Sequence, residues 1–89
     1  MKDQSFNIYS EQNVWLYGDV RDGVLSLTSE VYGPGYGSER HYIFTREETE
    51  KLFALCSLGE FIELCRRERL AGMEDFLREN GIGFGTCTI

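Results

Sequence analysis

Apolar and polar residues alternate most regularly from Val14 to Val31, on both sides of the dipeptide Asp22-Gly23. This dipeptide is typical of a two-residue hairpin turn, because a type I′ turn needs φ > 0 at both central positions. Glycine adopts that conformation freely, and aspartate adopts it more readily than most residues. The turn fixes the register, with Val14 opposite Val31, and the pattern therefore predicts a central β-hairpin.

The two faces of this hairpin differ in chemistry, because successive strand side chains point to opposite faces. One face is mainly apolar and is predicted to face the core: Val14, Leu16, Gly18, Val20, Leu25, Leu27, Ser29 and Val31. The other face mixes aromatic, hydroxyl and charged groups: Trp15, Tyr17, Asp19, Arg21, Val24, Ser26, Thr28 and Glu30. We expect this second face to contact water or a partner.

Three further segments alternate and predict strands, namely residues 5–10, 40–45 and 82–89. Residues 32–38 contain three glycines and the only proline of the chain. They predict a long, mobile connection between the hairpin and the next strand. Because neither a Lys-Ser/Thr pair nor a helix follows, this segment does not indicate a phosphate-binding loop.

Between residues 45 and 81, apolar positions recur at helical spacing. Two capping boxes start helices, one at Thr45 and one at Ser57, each with a glutamate three residues later. The second helix is predicted to end near Arg69, and a short third helix to end at Asn80-Gly81. The predicted core positions of the helices are Leu52, Phe53, Leu55, Cys56, Leu58, Phe61, Ile62, Cys65, Met73, Phe76 and Leu77.

The predicted element order is β-β-β-β-α-α-α-β. Strands grouped before helices favour an α+β fold, here an antiparallel sheet of about five strands with the helices packed on one face. Since no linker or internal repeat divides residues 1–89, we expect a single domain. The last strand could pair with the first strand or with an edge of the hairpin meander.

The charge balance limits the classes of molecule that we expect the protein to bind. Fifteen acidic residues against nine Lys and Arg give a net charge of −6, whereas nucleic acid binding favours clustered basic residues. We therefore expect no nucleic acid partner, and a basic protein is the partner that this charge would attract. No run of ~18 apolar residues is present, so neither a membrane span nor a signal peptide is predicted.

The three cysteines, Cys56, Cys65 and Cys87, form no Cys-x-x-Cys motif, and any disulfide would leave one unpaired. We expect reduced thiols, a cytoplasmic location, and neither a disulfide framework nor a zinc site. Because His41 is the only histidine, no metal or other cofactor is predicted.

Catalysis has one candidate pair, His41 with Cys87. Cys87 is the cysteine outside the apolar helical stripes, and a thiolate activated by a histidine is a common nucleophile. The acidic residues at the predicted helix starts are better explained by the helix dipole than by acid–base chemistry. We predict a protein that is not an enzyme and keep a small enzyme using His41 and Cys87 as an alternative.

Binding has more candidates. Trp15 and Tyr17 lie beside Asp19 and Glu30 on the polar face of the hairpin, a composition typical of protein interfaces. The glycine-rich segment adds two aromatic side chains that offer contact area at low entropic cost. The predicted partner-binding residues are Trp15, Tyr17, Asp19, Glu30, Tyr32 and Tyr36. Alternatively, these rings only shield the backbone, or the first strand or a second subunit covers them. A self-complementary aromatic face would make the protein a homodimeric structural domain.

Residues 42–53 (Tyr-Ile-Phe-Thr-Arg-Glu-Glu-Thr-Glu-Lys-Leu-Phe) and 76–82 (Phe-Leu-Arg-Glu-Asn-Gly-Ile), followed by a final strand, carry a resemblance. The C-terminal half resembles small acidic bacterial proteins, some of which are immunity proteins of polymorphic or contact-dependent toxin systems. The resemblance implies a small α+β protein that neutralises a toxin by covering its active site. Its acidic groups would then mimic the substrate of a basic nuclease.

Overall fold

The computed structural model describes residues 2–33 and 35–89, which form a five-stranded antiparallel sheet and two helices. The elements are β1 (Gln4–Glu11), β2 (Val14–Arg21), β3 (Val24–Gly33), β4 (Tyr36–Ile43), α1 (Arg46–Leu55), α2 (Leu58–Glu79) and β5 (Gly85–Thr88). The strand order is β1-β2-β3-β4-β5, so the sheet is a meander in which the helices connect the last two strands. The predicted α+β class is confirmed.

The central hairpin has the predicted turn and register. Asp22 and Gly23 have φ angles of 52° and 77°, and Val14 pairs with Val31. The turn is also held from outside, because the Asp22 amide donates to the Asp3 carboxylate at 2.8 Å and Arg46 pairs with the Asp22 side chain at 3.3 Å. The predicted inner face of the hairpin is therefore the face that packs in the core.

The predicted long connection at residues 32–38 is wrong. β3 continues to Gly33, which pairs with Tyr36 at the start of β4, so the two strands are joined more closely than predicted. Pro34 lies outside the described residues, and Gly35 has a φ of 79°. Because glycine tolerates this left-handed conformation, the chain reverses at once and the other residues of the segment extend the two strands.

The face of β4 that carries Tyr42 is the buried one. Tyr42 and Phe44 are in the core, and the Tyr42 hydroxyl donates to the Glu74 carboxylate of α2 at 2.8 Å.

The last strand is shorter than predicted. It spans four residues and pairs with β4, whereas Ile82 is buried against the helices instead of pairing in the sheet.

The second and third predicted helices form one element. α2 runs through residues 58–79, but Arg69 has φ 62° and ψ −168°, which are not helical angles. The predicted break near Arg69 is therefore confirmed, and it is a kink that separates two helical segments of α2. Glycine at position 72 permits the kink, since a larger residue would collide with the Glu68 side chain. No helix in the described ranges is long and apolar enough to cross a membrane.

The core lies between the sheet and the two helices. Its buried apolar residues are Ile8, Leu16, Val20, Leu25, Leu27, Tyr42, Phe44, Leu52, Phe61, Cys65, Met73, Leu77 and Ile82. Leu55, predicted in the core, is instead 54% exposed. The buried residues of α1 are Thr49 and Leu52. Because successive residues of a helix are rotated by about 100°, Leu55 points to the side of the direction in which these two residues point.

β1 is joined to α2 at a bulge. The pairing of β1 with β2 shifts between Asn7 and Tyr9, so Ile8 is an extra residue with a carbonyl that has no partner in β2. The Arg66 guanidinium donates to this carbonyl at 2.6 Å, and that of Arg69 lies 4.9 Å from the centre of the Tyr9 ring. The free edge of β1 is thus in contact with basic side chains of α2 at the bulge.

We expect Gly18→Ala to lower the free energy of unfolding by about 1–3 kcal/mol, as overpacking does in cores. A Cβ at Gly18 would lie 2.5 Å from the Ser26 carbonyl oxygen and 2.6 Å from a Leu27 methyl carbon. Urea denaturation at low micromolar concentration measures the change. Gly85→Ala is the control, because a Cβ there meets nothing within 4 Å. Equal unfolding free energies for the two variants would contradict the prediction.

We expect Thr49→Val to cost about 1–3 kcal/mol, because it leaves a buried amide without an acceptor. β4 pairs with β3 only as far as Ser26, and the Leu25 amide instead donates to the Thr49 hydroxyl at 3.0 Å. Thermal unfolding with Thr49→Ser as the matched variant tests this, since serine keeps the hydroxyl. If serine and valine destabilise equally, the hydrogen bond to the Leu25 amide does not account for the loss.

Candidate functional site

The helices cover one face of the sheet, and we call the other the outer face. It carries five of the six predicted partner-binding residues: Trp15, Tyr17, Asp19, Glu30 and Tyr32. The side chain of the sixth, Tyr36, lies outside the described residues. The outer face therefore brings together the residues that the hairpin pattern assigned to it.

Two aromatic rings form its centre. The Trp15 and Tyr17 ring centroids are 4.3 Å apart at an interplanar angle of 39°, and both residues are half-buried. The indole N–H of Trp15 donates to the Asn7 side chain at 3.0 Å. Because neighbouring rings and a hydrogen bond hold the indole, Trp15 is an apolar contact surface with a fixed orientation.

Two carboxylates lie directly opposite each other beside these rings. Glu30 pairs with Glu39 across β3 and β4, and Trp15 is the partner of Glu30 on the other side. The backbone groups of Glu39 bond to Ile89 of the neighbouring chain segment, so they point away from β3. The glutamates thus form a non-hydrogen-bonded pair, the type in which side chains approach most closely. Like charges at such positions destabilise a sheet.

Neutral and basic neighbours partly compensate this repulsion. The Tyr32 hydroxyl donates to the Glu30 carboxylate at 3.1 Å, and the His41 Nε2 lies 3.2 Å from the Glu39 carboxylate. Desolvation, and after it Glu30, raises the pKa of both Tyr17 and Tyr32. Both phenols therefore stay protonated well above neutral pH and remain hydrogen-bond donors.

His41 links Glu39 to the middle of the sheet. Its Nδ1 lies 3.2 Å from the hydroxyl of Thr28, which is 9% exposed. Hydroxyl, imidazole and carboxylate thus follow one another across two strands, an arrangement that fixes the ring and the Glu39 carboxylate. The register also places Cys87 opposite His41, as the predicted catalytic pair requires, but the two ring nitrogens face Thr28 and Glu39.

Thr28 and Glu39 were missed as site residues in the sequence. The hairpin pattern already placed Thr28 on this face, but its contact with His41 and the position of Glu39 depend on the register of β4, which was not predicted. The register follows from the direct pairing of Gly33 with Tyr36, which the glycine-rich pattern of residues 32–38 does not predict.

The outer face has an acidic balance. Asp19, Glu30 and Glu39 lie on it, and Arg21 is the basic side chain near Asp19, with 3.9 Å between the charged atoms. A surface of aromatic rings and carboxylates can accept a Lys or Arg side chain, through charge pairing and through the ring faces. Within the described ranges, no three His, Cys, Asp or Glu side chains converge as a metal site would require.

A large concave surface lies elsewhere, on the helical layer. A cleft of about 920 Å³ opens between the end of α1 and the two halves of α2, with Leu55, Leu64, Arg67 and Phe76 in its lining. It includes none of the predicted site residues. No family model, curated protein or solved structure matches the chain.

We expect Glu30→Gln to raise the free energy of unfolding by about 0.2–1 kcal/mol at low ionic strength, because it removes a like-charge cross-strand pair. The gain should shrink as salt screens the repulsion. The same change should lower the pKa of Tyr17 and Tyr32, which ultraviolet difference titration measures. Glu50→Gln, at an exposed position of α1, is the matched control. A lower stability of Glu30→Gln would contradict the inferred repulsion.

Proposed function

We propose that the protein is a non-enzymatic binding module that uses its outer face to bind a basic partner protein. The observation that carries this proposal is the Glu30–Glu39 pair beside the Trp15 ring. The sheet gains nothing from two opposed carboxylates, whereas a Lys or Arg side chain of a partner would relieve their repulsion. Residues that cost stability in the free protein are typical of functional sites.

The aromatic side chains support the same proposal. Trp and Tyr dominate the binding energy of many interfaces, because they bury a large area with few rotatable bonds. Trp15 is already held by Asn7 and Tyr17, so little conformational entropy would be lost on binding. We expect Trp15 to be the apolar anchor and Glu30 with Glu39 to be the charged contact.

The net charge of −6 suits a basic partner, since complementary charge accelerates association. The resemblance to immunity proteins gives the proposal its most specific form, which is inhibition of a basic toxin by covering its active site. In that form Glu30 and Glu39 would occupy positions that the phosphates of a nuclease substrate take. The free thiols favour the cytoplasm as the compartment of such an inhibitor.

A small enzyme using His41 and Cys87 is the second candidate, and the register pairing of these residues favours it. It requires a ring nitrogen of His41 to accept the thiol proton. The contacts of both nitrogens with Thr28 and Glu39 support a positioning role for His41 instead.

The test is co-expression of the protein with each product of the adjacent genes, followed by titration of the purified pair. Trp15 is the only tryptophan, so its fluorescence reports binding at the proposed surface. We expect one complex whose dissociation constant rises steeply with salt. If none of these proteins binds, the proposal of an immunity-type inhibitor fails.

Two variants localise the surface. We expect Glu30→Lys to weaken the complex at least about tenfold, as loss of a central contact does. Glu50→Lys changes the net charge equally but lies on α1, in the helical layer, and we expect it to have a much smaller effect. If both variants weaken the complex to the same extent, the net charge and not the outer face controls binding.

A further inference from the structure

The two edges of the sheet are protected unequally. β1 has a bulge at Ile8, and Arg66 bonds the carbonyl that the bulge exposes. β5 has neither feature: it is a regular strand of four exposed residues without charge or proline. Exposed edges of this kind are templates for another strand, and proteins commonly protect them with charges, bulges or proline.

The open hydrogen-bonding groups of β5 follow from its register. Ile89 and Glu39 exchange both backbone hydrogen bonds, so this pair is of the hydrogen-bonded type. In an antiparallel ladder the types alternate, and Cys87 and Gly85 therefore also direct their backbone groups toward β4. The amide and carbonyl groups of Thr86 and Thr88 point away from the sheet.

We propose that these groups pair with β5 of a second copy of the chain, in an antiparallel register centred on Cys87. Thr86 then exchanges hydrogen bonds with Thr88 of the second copy, and Cys87 lies opposite its equivalent. Antiparallel pairing of a strand with itself is two-fold symmetric, so each copy presents the groups that the other needs. The proposal concerns the edge of the sheet and is independent of the function proposed for the outer face.

The side chains of β5 and its neighbours fit this register. Gly85 lies opposite Ile89 of the second copy, and its other neighbour is Ile43 in β4. Ile89 and Ile43 are 75% and 54% exposed, and a Cβ at Gly85 would meet nothing within 4 Å. Each Ile89 can therefore lie across the glycine toward Ile43 of the other copy, which would shield two exposed apolar side chains.

The charges also favour a second copy as the occupant. β5 has no charged residue, and the nearest charges on β4 are Glu39 and Arg40, which point to opposite faces of the sheet. In the proposed register Glu39 is next to Ile89 and Arg40 is next to Thr88, so no like charges of the two copies become cross-strand partners.

The pairing would give the outer faces a common orientation. The symmetry axis is perpendicular to the sheet, so the outer face of one copy continues into that of the other across the Cys87 pair. Two sets of Trp15, Glu30 and Glu39 would then lie side by side. A partner with two contact points could bind both sets, and the affinity would gain from the second contact.

A disulfide between the two Cys87 residues would report the proposed pairing. In the proposed register the two Cys87 residues form a non-hydrogen-bonded pair with a Cα separation of about 4.5 Å, within the range of roughly 4.4–6.8 Å that disulfides span. Diamide accepts two electrons and two protons from two thiols and leaves a disulfide and a hydrazine. We expect diamide to convert the native protein to a dimer whose disulfide is mapped to Cys87 by mass spectrometry.

Matched variants distinguish a disulfide formed within paired β5 strands from one formed by random collision of two monomers. Thr88→Pro removes an amide that faces away from the chain's own sheet, so we expect the thermal stability to persist. Crosslinking should slow about tenfold or more, because unpaired thiols meet only at their bulk concentration. The double variant Thr86→Cys, Cys87→Ser moves the thiol to a position opposite Thr88, and we expect it to crosslink as slowly as Thr88→Pro.

Sedimentation equilibrium of Cys87→Ser should show a reversible dimer that Trp15→Ala preserves and Thr88→Pro abolishes. Several outcomes would overturn the proposal: equal crosslinking of thiols at positions 86 and 87, no effect of Thr88→Pro, or a chain that stays monomeric and binds only foreign strands. Loss of the dimer with Trp15→Ala would also overturn it, because the copies would then meet through their outer faces.

Discussion

The register of the β2–β3 hairpin is the constraint on which the rest of the structure depends. Because side chains alternate along a strand, a shift of one residue would move Leu16 and Leu27 to solvent and Trp15 into the core. The turn at Asp22-Gly23 prevents that shift locally, and the Leu25 amide bonded to Thr49 fixes the helical layer against the same hairpin. The register of this hairpin therefore determines which residues form the core, where the helices dock and which side chains lie on the outer face.

Much of the fold could be predicted because its signals are local. The hairpin turn, the caps at Thr45 and Ser57 and the break at Arg69 each depend on a few adjacent residues. The bulge at Ile8 could not be predicted, since it arises where β1 meets both β2 and a guanidinium from α2, 58 residues away in sequence. The partner of the last strand was also a long-range choice, and alternation alone does not select among sheet edges.

The candidate site could be predicted only where its residues belong to the hairpin, because the hairpin depends on adjacent residues. Trp15, Asp19 and Glu30 belong to the hairpin, and their common face followed from its turn. Glu39 and the chain from Thr28 to His41 required the register of β4, which a glycine-rich segment left open. The electrostatic cost of the site therefore became apparent only when two strands were aligned: neither glutamate is unusual within its own strand.

The guanidinium of Arg66 on the Ile8 carbonyl has a consequence for how far association can proceed. A sheet with two open edges can add copies at both and grow into a filament, the hazard that flat edge strands carry. Here the bulge and the Arg66 guanidinium interrupt the β1 edge at Ile8, so a regular strand would meet a disturbed hydrogen-bonding ladder there. A contact restricted to one edge and closed by a two-fold axis ends at a pair. In the proposed assembly, the Ile8 bulge and Arg66 would therefore disfavour growth beyond two copies.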